Sequence, residues 1–252
     1  MKISIITVCF NSAQTIENTI QSVLNQKNVD IEYIIIDGAS TDHTLDIVKN
    51  YKDKITTIVS EKDTGIYNAM NKGIVRATGD IVGILNSDDV YASDTILATV
   101  VTEFQSKSVD CIWGDLVYVN KNTSDTVLRY WKSSPYIKGI FQKGWHPPHP
   151  SFFVKKEIYI KYGLFREDLF ISADYELMLR FLERYAISFK YVSKVFVRMR
   201  VGGKSNKNFL NIIKGNFQCF QAFKLNNIKV SPIIFFIKPF LKLFQFTNIF
   251  SE

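Results

Sequence analysis

The chain has 252 residues, 46% of them hydrophobic and 14% aromatic, with 31 Lys and Arg against 24 Asp and Glu for a formal charge of +7. That length holds a well-buried core, and that apolar content excludes a disordered chain while leaving more apolar surface than an ordinary cytosolic protein carries. The positive charge favours anionic partners such as phosphates, nucleic acid or acidic lipid, without choosing among them. Cys9, Cys111 and Cys219 form no Cys-x-x-Cys pair and read as buried thiols of a reducing compartment. The apolar run Ile3 to Phe10 is too short for a signal peptide, and Lys238 and Lys242 divide the longest apolar stretch before it reaches the roughly 18 residues of a spanning helix. The expectation is a cytoplasmic protein whose membrane contact is peripheral, on the cytoplasmic face of the inner membrane.

The first hundred residues alternate β-branched runs with helical periodicity, the pattern of a mostly parallel sheet covered by helices. Strand one is Ile3–Phe10, followed by a helix with Ile16, Ile20, Val23 and Leu24 on one face and Asn11 or Ser12 as its cap. Strand two, Ile31–Ile36, runs through Asp37-Gly-Ala-Ser-Thr-Asp42 into a second helix; strand three is Ile55–Val59. Gly65–Ala77 is a helix, and strand four, Ile81–Leu85, leads straight into Asn86-Ser-Asp-Asp89. Ligands of open α/β sheets sit beyond the carboxyl ends of parallel strands, so these polar turns converge on one crevice. Farther on, Asp110–Asn120 and Thr126–Trp131 read as mixed strands and Pro135–Pro150 as an irregular loop. Ser172–Tyr185 reads as a helix capped by Ser172, Phe189–Arg200 as a strand and Asn206–Leu225 as helical.

Paired carboxylates on a sharp turn at a strand end can bind a hard, oxygen-seeking cation, which makes Asp88 and Asp89 candidate ligands for Mn²⁺ or Mg²⁺. A metal there would neutralise charge on a departing diphosphate. A plain Asp/Asn turn is the structural alternative. Asp42 fits a helix N-cap better than a ligand contact. Asp63 and Lys72 suit either a donor site or the polar face of a surface helix. Arg198, Arg200 and Lys204 surround Gly202-Gly203, as a basic loop over a pyrophosphate or as solvated charge. The tail from Val230 interleaves aromatic and aliphatic residues with Lys238 and Lys242, which suits the headgroup boundary of a membrane or packing on the domain.

Taken together, Ile5-Ile-Thr-Val-Cys-Phe-Asn11, Ile34-Ile-Ile-Asp37-Gly-Ala-Ser-Thr-Asp42, Glu61-Lys-Asp63-Thr-Gly-Ile-Tyr-Asn-Ala-Met-Asn-Lys-Gly73 and Asn86-Ser-Asp88-Asp89 resemble glycosyltransferase family 2 in order and spacing. The resemblance is dense over roughly the first 90 residues. It implies an α/β GT-A fold, with a mostly parallel mixed sheet flanked by helices and a Rossmann-like nucleotide half beside an acceptor half. It also implies a nucleotide-sugar donor, UDP-sugar over GDP-sugar, and inversion at the anomeric carbon. The forms of the second and third motifs resemble the branch that builds bacterial O-antigen, capsule and exopolysaccharide, whose acceptor is a glycan or a polyprenyl-diphosphate-linked sugar.

Carried over by position, the resemblance places Thr7, Phe10 and Asn11 at the nucleoside, Asp37 at base or ribose, and Asp63, Lys72 and Asn86 in the donor site. Asp88 then faces ribose and metal, and Asp89 is the closer metal ligand. Relatives often carry a second Asp where Gly38 stands. Asp174, opening the helix in Ser172-Ala-Asp-Tyr-Glu176, takes the position of the catalytic base; His149, in Trp145-His-Pro-Pro-His149, is an acceptor or diphosphate contact or a structural residue. The expected organisation is a catalytic domain over 1–228, with a donor half at 1–110 and an acceptor half at 111–228, followed by an amphipathic tail at 229–252. Two alternatives from other classes are a non-catalytic sugar-nucleotide-binding protein and a nucleotidyltransferase. No aromatic-basic interleaving marks a nucleic-acid platform.

Overall fold

The computed structural model describes residues 1–106, 108–120, 126–202 and 209–230. Its framework is one nine-stranded sheet in the order β3-β2-β1-β4-β8-β6-β9-β5, with β7 paired to β6. The parallel half contains β1 (Lys2–Cys9), β2 (Asp30–Asp37), β3 (Thr57–Ser60) and β4 (Ile81–Ile84). Continuous apolar runs form these strands because both faces are covered. Ile6, Val8, Ile34 and Ile36 enter one core, while Ile3, Ile5, Tyr33 and Ile35 enter the other. Each such fully buried aliphatic side chain contributes about 1.5–3 kcal/mol relative to exposure.

Helices α1 (Ile16–Leu24), α2 (Thr44–Lys49) and α4 (Ile96–Ser106) cover one face. The other is covered by α3 (Ile66–Arg76), α5 (Lys156–Tyr162), α6 (Ala173–Leu179) and α7 (Phe209–Leu225). A single π-helical turn, Arg180–Arg184, prolongs α6. Helix α3 lies close on β1 because residue 73 is glycine: a Cβ there would collide with the Ile6 side chain. Asn71, buried on α3, clamps the loop after α5 by accepting from Phe165 N (3.0 Å) and donating to Phe165 O and Glu167 Oε1 (2.9 Å each).

The mixed half departs from simple alternation. Strand β6 (Cys111–Val119) pairs antiparallel with β8 (Phe152–Lys155) and β7 (Val127–Trp131), and parallel with β9 (Phe189–Arg200). Strand β8 also joins β4, and β5 (Val90–Tyr91) joins β9. The predicted irregular loop before Pro150 contains two short 3₁₀ turns, Ile140–Lys143 and His149–Ser151. The three cysteines are buried and unpaired with one another. No helix among the described residues is long and apolar enough to cross a membrane. Lys204 and the tail from residue 231 lie outside the described residues.

Candidate functional site

The turns after β1, β2 and β4 interlock at the carboxyl ends of the parallel strands. Asn11, at φ 50°, adopts the left-handed backbone that asparagine tolerates. Its amide donates to Ser40 Oγ (2.8 Å), and its side-chain carbonyl accepts from Thr41 N (2.9 Å). Ser12 N donates to Thr44 Oγ1 (2.7 Å), and the hydroxyls of Ser12 and Ser87 meet at 2.8 Å. Neither Asn11 nor Ser12 caps α1; Thr15 stands at its start, with no side-chain cap. Asp42 precedes the N-cap position, which is His43, and accepts from Thr44 N (3.0 Å) and Ala13 N (3.1 Å). It fastens two turns together.

Two residues expected at the nucleoside are enclosed instead. Thr7 has no exposed surface, and its hydroxyl meets Tyr33 Oη at 3.1 Å inside the sheet. Asp37 is also fully buried. Its carboxylate receives Ser40 N (3.0 Å), the Ser40 hydroxyl, Ser60 Oγ (2.7 Å) and the Cys9 thiol (3.6 Å). Four donors fill the lone-pair positions of one carboxylate, so Asp37 orders the turn and offers no free oxygen to the cleft.

The groups that do border this corner are Phe10, 55% exposed, and Asp63. Asp63 Oδ1 accepts from Gly65 N at 3.0 Å. Asp63 Oδ2 lies 2.5 Å from where a Cβ on residue 38 would stand, and Phe10 Cδ2 lies 3.5 Å from the same point. The missing side chain at Gly38 is therefore the space that the Asp63 carboxylate occupies. Lys72 turns away from this corner: its ammonium donates to Lys62 O (2.9 Å) and pairs with Glu61 Oε1 (3.0 Å), holding the loop that carries Asp63.

At the end of β4, Asn86 O accepts Asp89 N (3.1 Å), and Asn86 Nδ2 donates to Asp89 Oδ2 (3.1 Å). Thr19 Oγ1 donates to Asp89 O from α1 (2.8 Å). Asp88 is half-buried, whereas Asp89 has no exposed surface, so Asp88 is the carboxylate nearer the cleft. Burial raises the Asp88 carboxyl against a smaller opposing pull from Arg200. Burial, then the charge of Asp88, raises Asp89 well above the usual carboxylate range despite Asn86 and Arg200. Asn86 Oδ1 and Asp89 Oδ1 are buried without a hydrogen-bond partner. Two orphaned acceptor oxygens beside two disfavoured carboxylates fit a hard cation. No group of three or more His, Cys, Asp or Glu positioned for a metal occurs among the described residues.

A second group of polar contacts centres on α6. Ser172 stands at its N-cap position, but its hydroxyl donates to Gly215 O (3.0 Å) instead of capping. Glu176 is drawn into an ion pair with Arg180 (3.0 Å) and accepts from Asn226 (2.9 Å), which ties α6 to α7. Asp174, half-buried, accepts from Tyr175 N (2.8 Å) and from the Tyr67 hydroxyl (3.0 Å). Burial, then the charge of Asp174, pushes the Tyr67 phenol well above its ordinary range, so Tyr67 remains a donor. His149 lies near enough to feel Asp174; burial lowers its imidazole and the Asp174 charge partly restores it.

A row of rings runs from the carboxylate turn to α6. Tyr118, within electrostatic range of Asp89, stacks on Trp131 (6.3 Å); Trp131 meets His146 edge-on (5.1 Å), and His146 meets Tyr175 (5.4 Å). No local pattern in the sequence marks this row, because its members come from β6, β7, the loop before Pro150 and α6. Tyr67 lies inside the Gly65-Ile-Tyr motif, yet its partner is 107 residues away, beyond the reach of local pattern.

The family profile described as Glycosyl transferase family 2 matches residues 4–163. A putative teichuronic acid biosynthesis glycosyltransferase of Bacillus subtilis is 38% identical over 97 residues, 37% of this chain and 38% of that protein. Among solved structures, S. aureus TarS 1–349 in complex with UDP-GlcNAc superposes with a TM-score of 0.70 at 16% identity, covering 93% of this chain and 69% of that one. Mannosyltransferase PcManGT from Pyrobaculum calidifontis, in complex with GDP-Man and Mn²⁺, gives 0.66 at 18% identity, covering 98% and 70%. These likenesses establish the GT-A fold.

Proposed function

The chain belongs to glycosyltransferase family 2, and on that footing we propose that it moves a sugar, with inversion, from a nucleotide-diphosphate sugar to a glycan or lipid-linked sugar acceptor of a bacterial surface polysaccharide. Membership favours a transferase over the binding-protein and nucleotidyltransferase alternatives. The catalytic unit in this reading spans 1–228. UDP-GlcNAc and GDP-Man in two structural neighbours, and the teichuronic acid role in the name of a relative, support the donor and acceptor classes.

In this reading the nucleoside lies against Phe10 and Asp63. Asn86, Asp88 and Asp89 would hold Mn²⁺ or Mg²⁺, the unpartnered oxygens of Asn86 and Asp89 being available to it. The metal supplies charge neutralisation for the leaving diphosphate. Arg200, close enough to act on both carboxylates, adds positive charge at the same end. Asp174 takes the proton from the acceptor hydroxyl as that oxygen bonds to the anomeric carbon and the bond to the diphosphate breaks. Tyr67 fixes the orientation of the base, and His149 stands within electrostatic range of it.

The observation that carries this reading is the pair of unpartnered buried oxygens on Asn86 and Asp89 at the end of β4. Its test is a thermal-shift screen of UDP- and GDP-sugars with and without Mn²⁺, followed by single-turnover transfer. A donor is expected to raise Tm only with the metal present, and Asp174→Asn to retain that shift while losing transfer. Absence of a metal-dependent shift with every donor overturns the metal role, and full transfer by Asp174→Asn overturns the base.

A further inference from the structure

Helix α7 carries apolar side chains on two opposite sides. Cys219, Ala222 and Phe223 face the core. On the other side Ile213, Phe217 and Phe220 repeat at i, i+4 and i+7 and so form one stripe. Ile213 is 50% exposed and Phe217 60%, and the Lys224 ammonium lies 4.7 Å from the centre of the Phe220 ring. A helix packed on a domain normally turns polar residues outward. Here the outward side is the more aromatic one.

Charge selects what covers it. From Phe209 to Ser251 the sequence has five lysines, Lys214, Lys224, Lys229, Lys238 and Lys242, and neither Asp nor Glu. A second copy of α7, or the segment 231–252 laid along the stripe, would set lysine against lysine. An anionic bilayer complements both the apolar rings and the ammonium groups. We infer that the Ile213–Phe217–Phe220 side of α7 docks on an anionic lipid surface.

The opposite side of the helix gives this docking a consequence. Gln218 Oε1 accepts from Ile171 N (2.9 Å) and Ser172 N (3.2 Å), and Asn226 reaches Glu176, so α6 is fastened directly to α7. Docking would set α7 between the headgroups and α6, the helix that opens with Asp174. That is the place for an acceptor sugar carried on a lipid diphosphate. This connection rests on the reading of Asp174 as the base; the membrane contact does not.

The test is co-sedimentation of the full chain with phosphatidylcholine vesicles made with and without phosphatidylglycerol, alongside the I213E/F217E variant. The wild-type chain is expected to partition onto the anionic vesicles and to be released by salt. The variant should lose about tenfold or more in partitioning while keeping its Tm and its donor-induced thermal shift. A wild-type chain that stays in the supernatant, or a variant that binds equally well, overturns the inference. So does a wild-type dimer that the variant dissociates in sedimentation equilibrium, which would assign the stripe to a second copy. Equal loss by K238E/K242E with none by I213E/F217E would assign binding to the tail alone and also overturn it. Loss of the donor-induced shift with vesicle binding intact would refute the transferase reading and leave this one standing.

Discussion

The Tyr67 hydroxyl, on the helix that follows the Asp63 turn, is shared between Asp174 Oδ1 and the Ile171 carbonyl at 3.0 Å each. The Gly65-Ile-Tyr segment thus holds the carboxylate proposed to deprotonate the acceptor. Tyr67→Phe keeps the ring, which stacks on Phe165 at 5.6 Å, and removes only the donor. The expected result is a fall in kcat of about tenfold, equivalent to about 1.4 kcal/mol, with donor affinity unchanged. Pre-steady-state kinetics and donor titration separate the two, and an unchanged kcat would refute the positioning role.

Asp89 makes stability depend on pH in a direction opposite to that of an ordinary paired carboxylate. Its folded-state pKa is raised above the unfolded value. The folded state therefore binds the extra proton, and metal-free stability falls as pH rises from about 4 through the folded pKa. Asp89→Asn removes the ionisation, so without metal its Tm should exceed that of the parent by a few degrees at pH 7 and converge with it near pH 4. Mn²⁺ should raise Tm of the parent and not of the variant. Melting curves in chelator and in Mn²⁺ across this range decide it.

Gly38 and Asp63 compete for one space. Gly38→Ala is expected to displace the Asp63 carboxylate and weaken UDP binding in Mn²⁺ by about tenfold, roughly 1.4 kcal/mol. In Asp63→Ala the same Gly38→Ala change should cost little further affinity, because the space is empty. Calorimetric titration of the four proteins gives the coupling, and additive losses would show that the two positions act independently.

Asn71→Ala strips three hydrogen bonds from the clamp between α3 and Phe165–Glu167 and leaves backbone groups of Phe165 without partners. The expected loss is about 2–3 kcal/mol, seen as a Tm lower by on the order of 5–10 °C. Urea unfolding should give the same loss with an unchanged slope.

The parallel half of the sheet was legible because buried strands are written as unbroken apolar runs, and the four turns after them were legible as polar punctuation. Helix α4 went unread because Ile-Leu-Ala-Thr-Val-Val-Thr is rich in β-branched residues that ordinarily favour strands. Strand β8 and helix α5 went unread because β8 is only four residues long and passes directly into the helix. At the site, the burial of Thr7 follows from strand alternation, since it shares a face with Ile3, Ile5 and Cys9. The saturation of Asp37 and the grip of Tyr67 on Asp174 depend on partners brought in by tertiary packing.

Strand β5 pairs with β9, Val90 opposite Arg198, immediately after the Asp88-Asp89 turn. During synthesis that turn therefore leaves the ribosome more than a hundred residues before the strand that backs it. Pairings over so long a sequence separation form late and slowly. A nascent chain carrying all four parallel strands would still lack the support that aligns its carboxylates, and metal affinity should emerge only as the last strand of the sheet is completed.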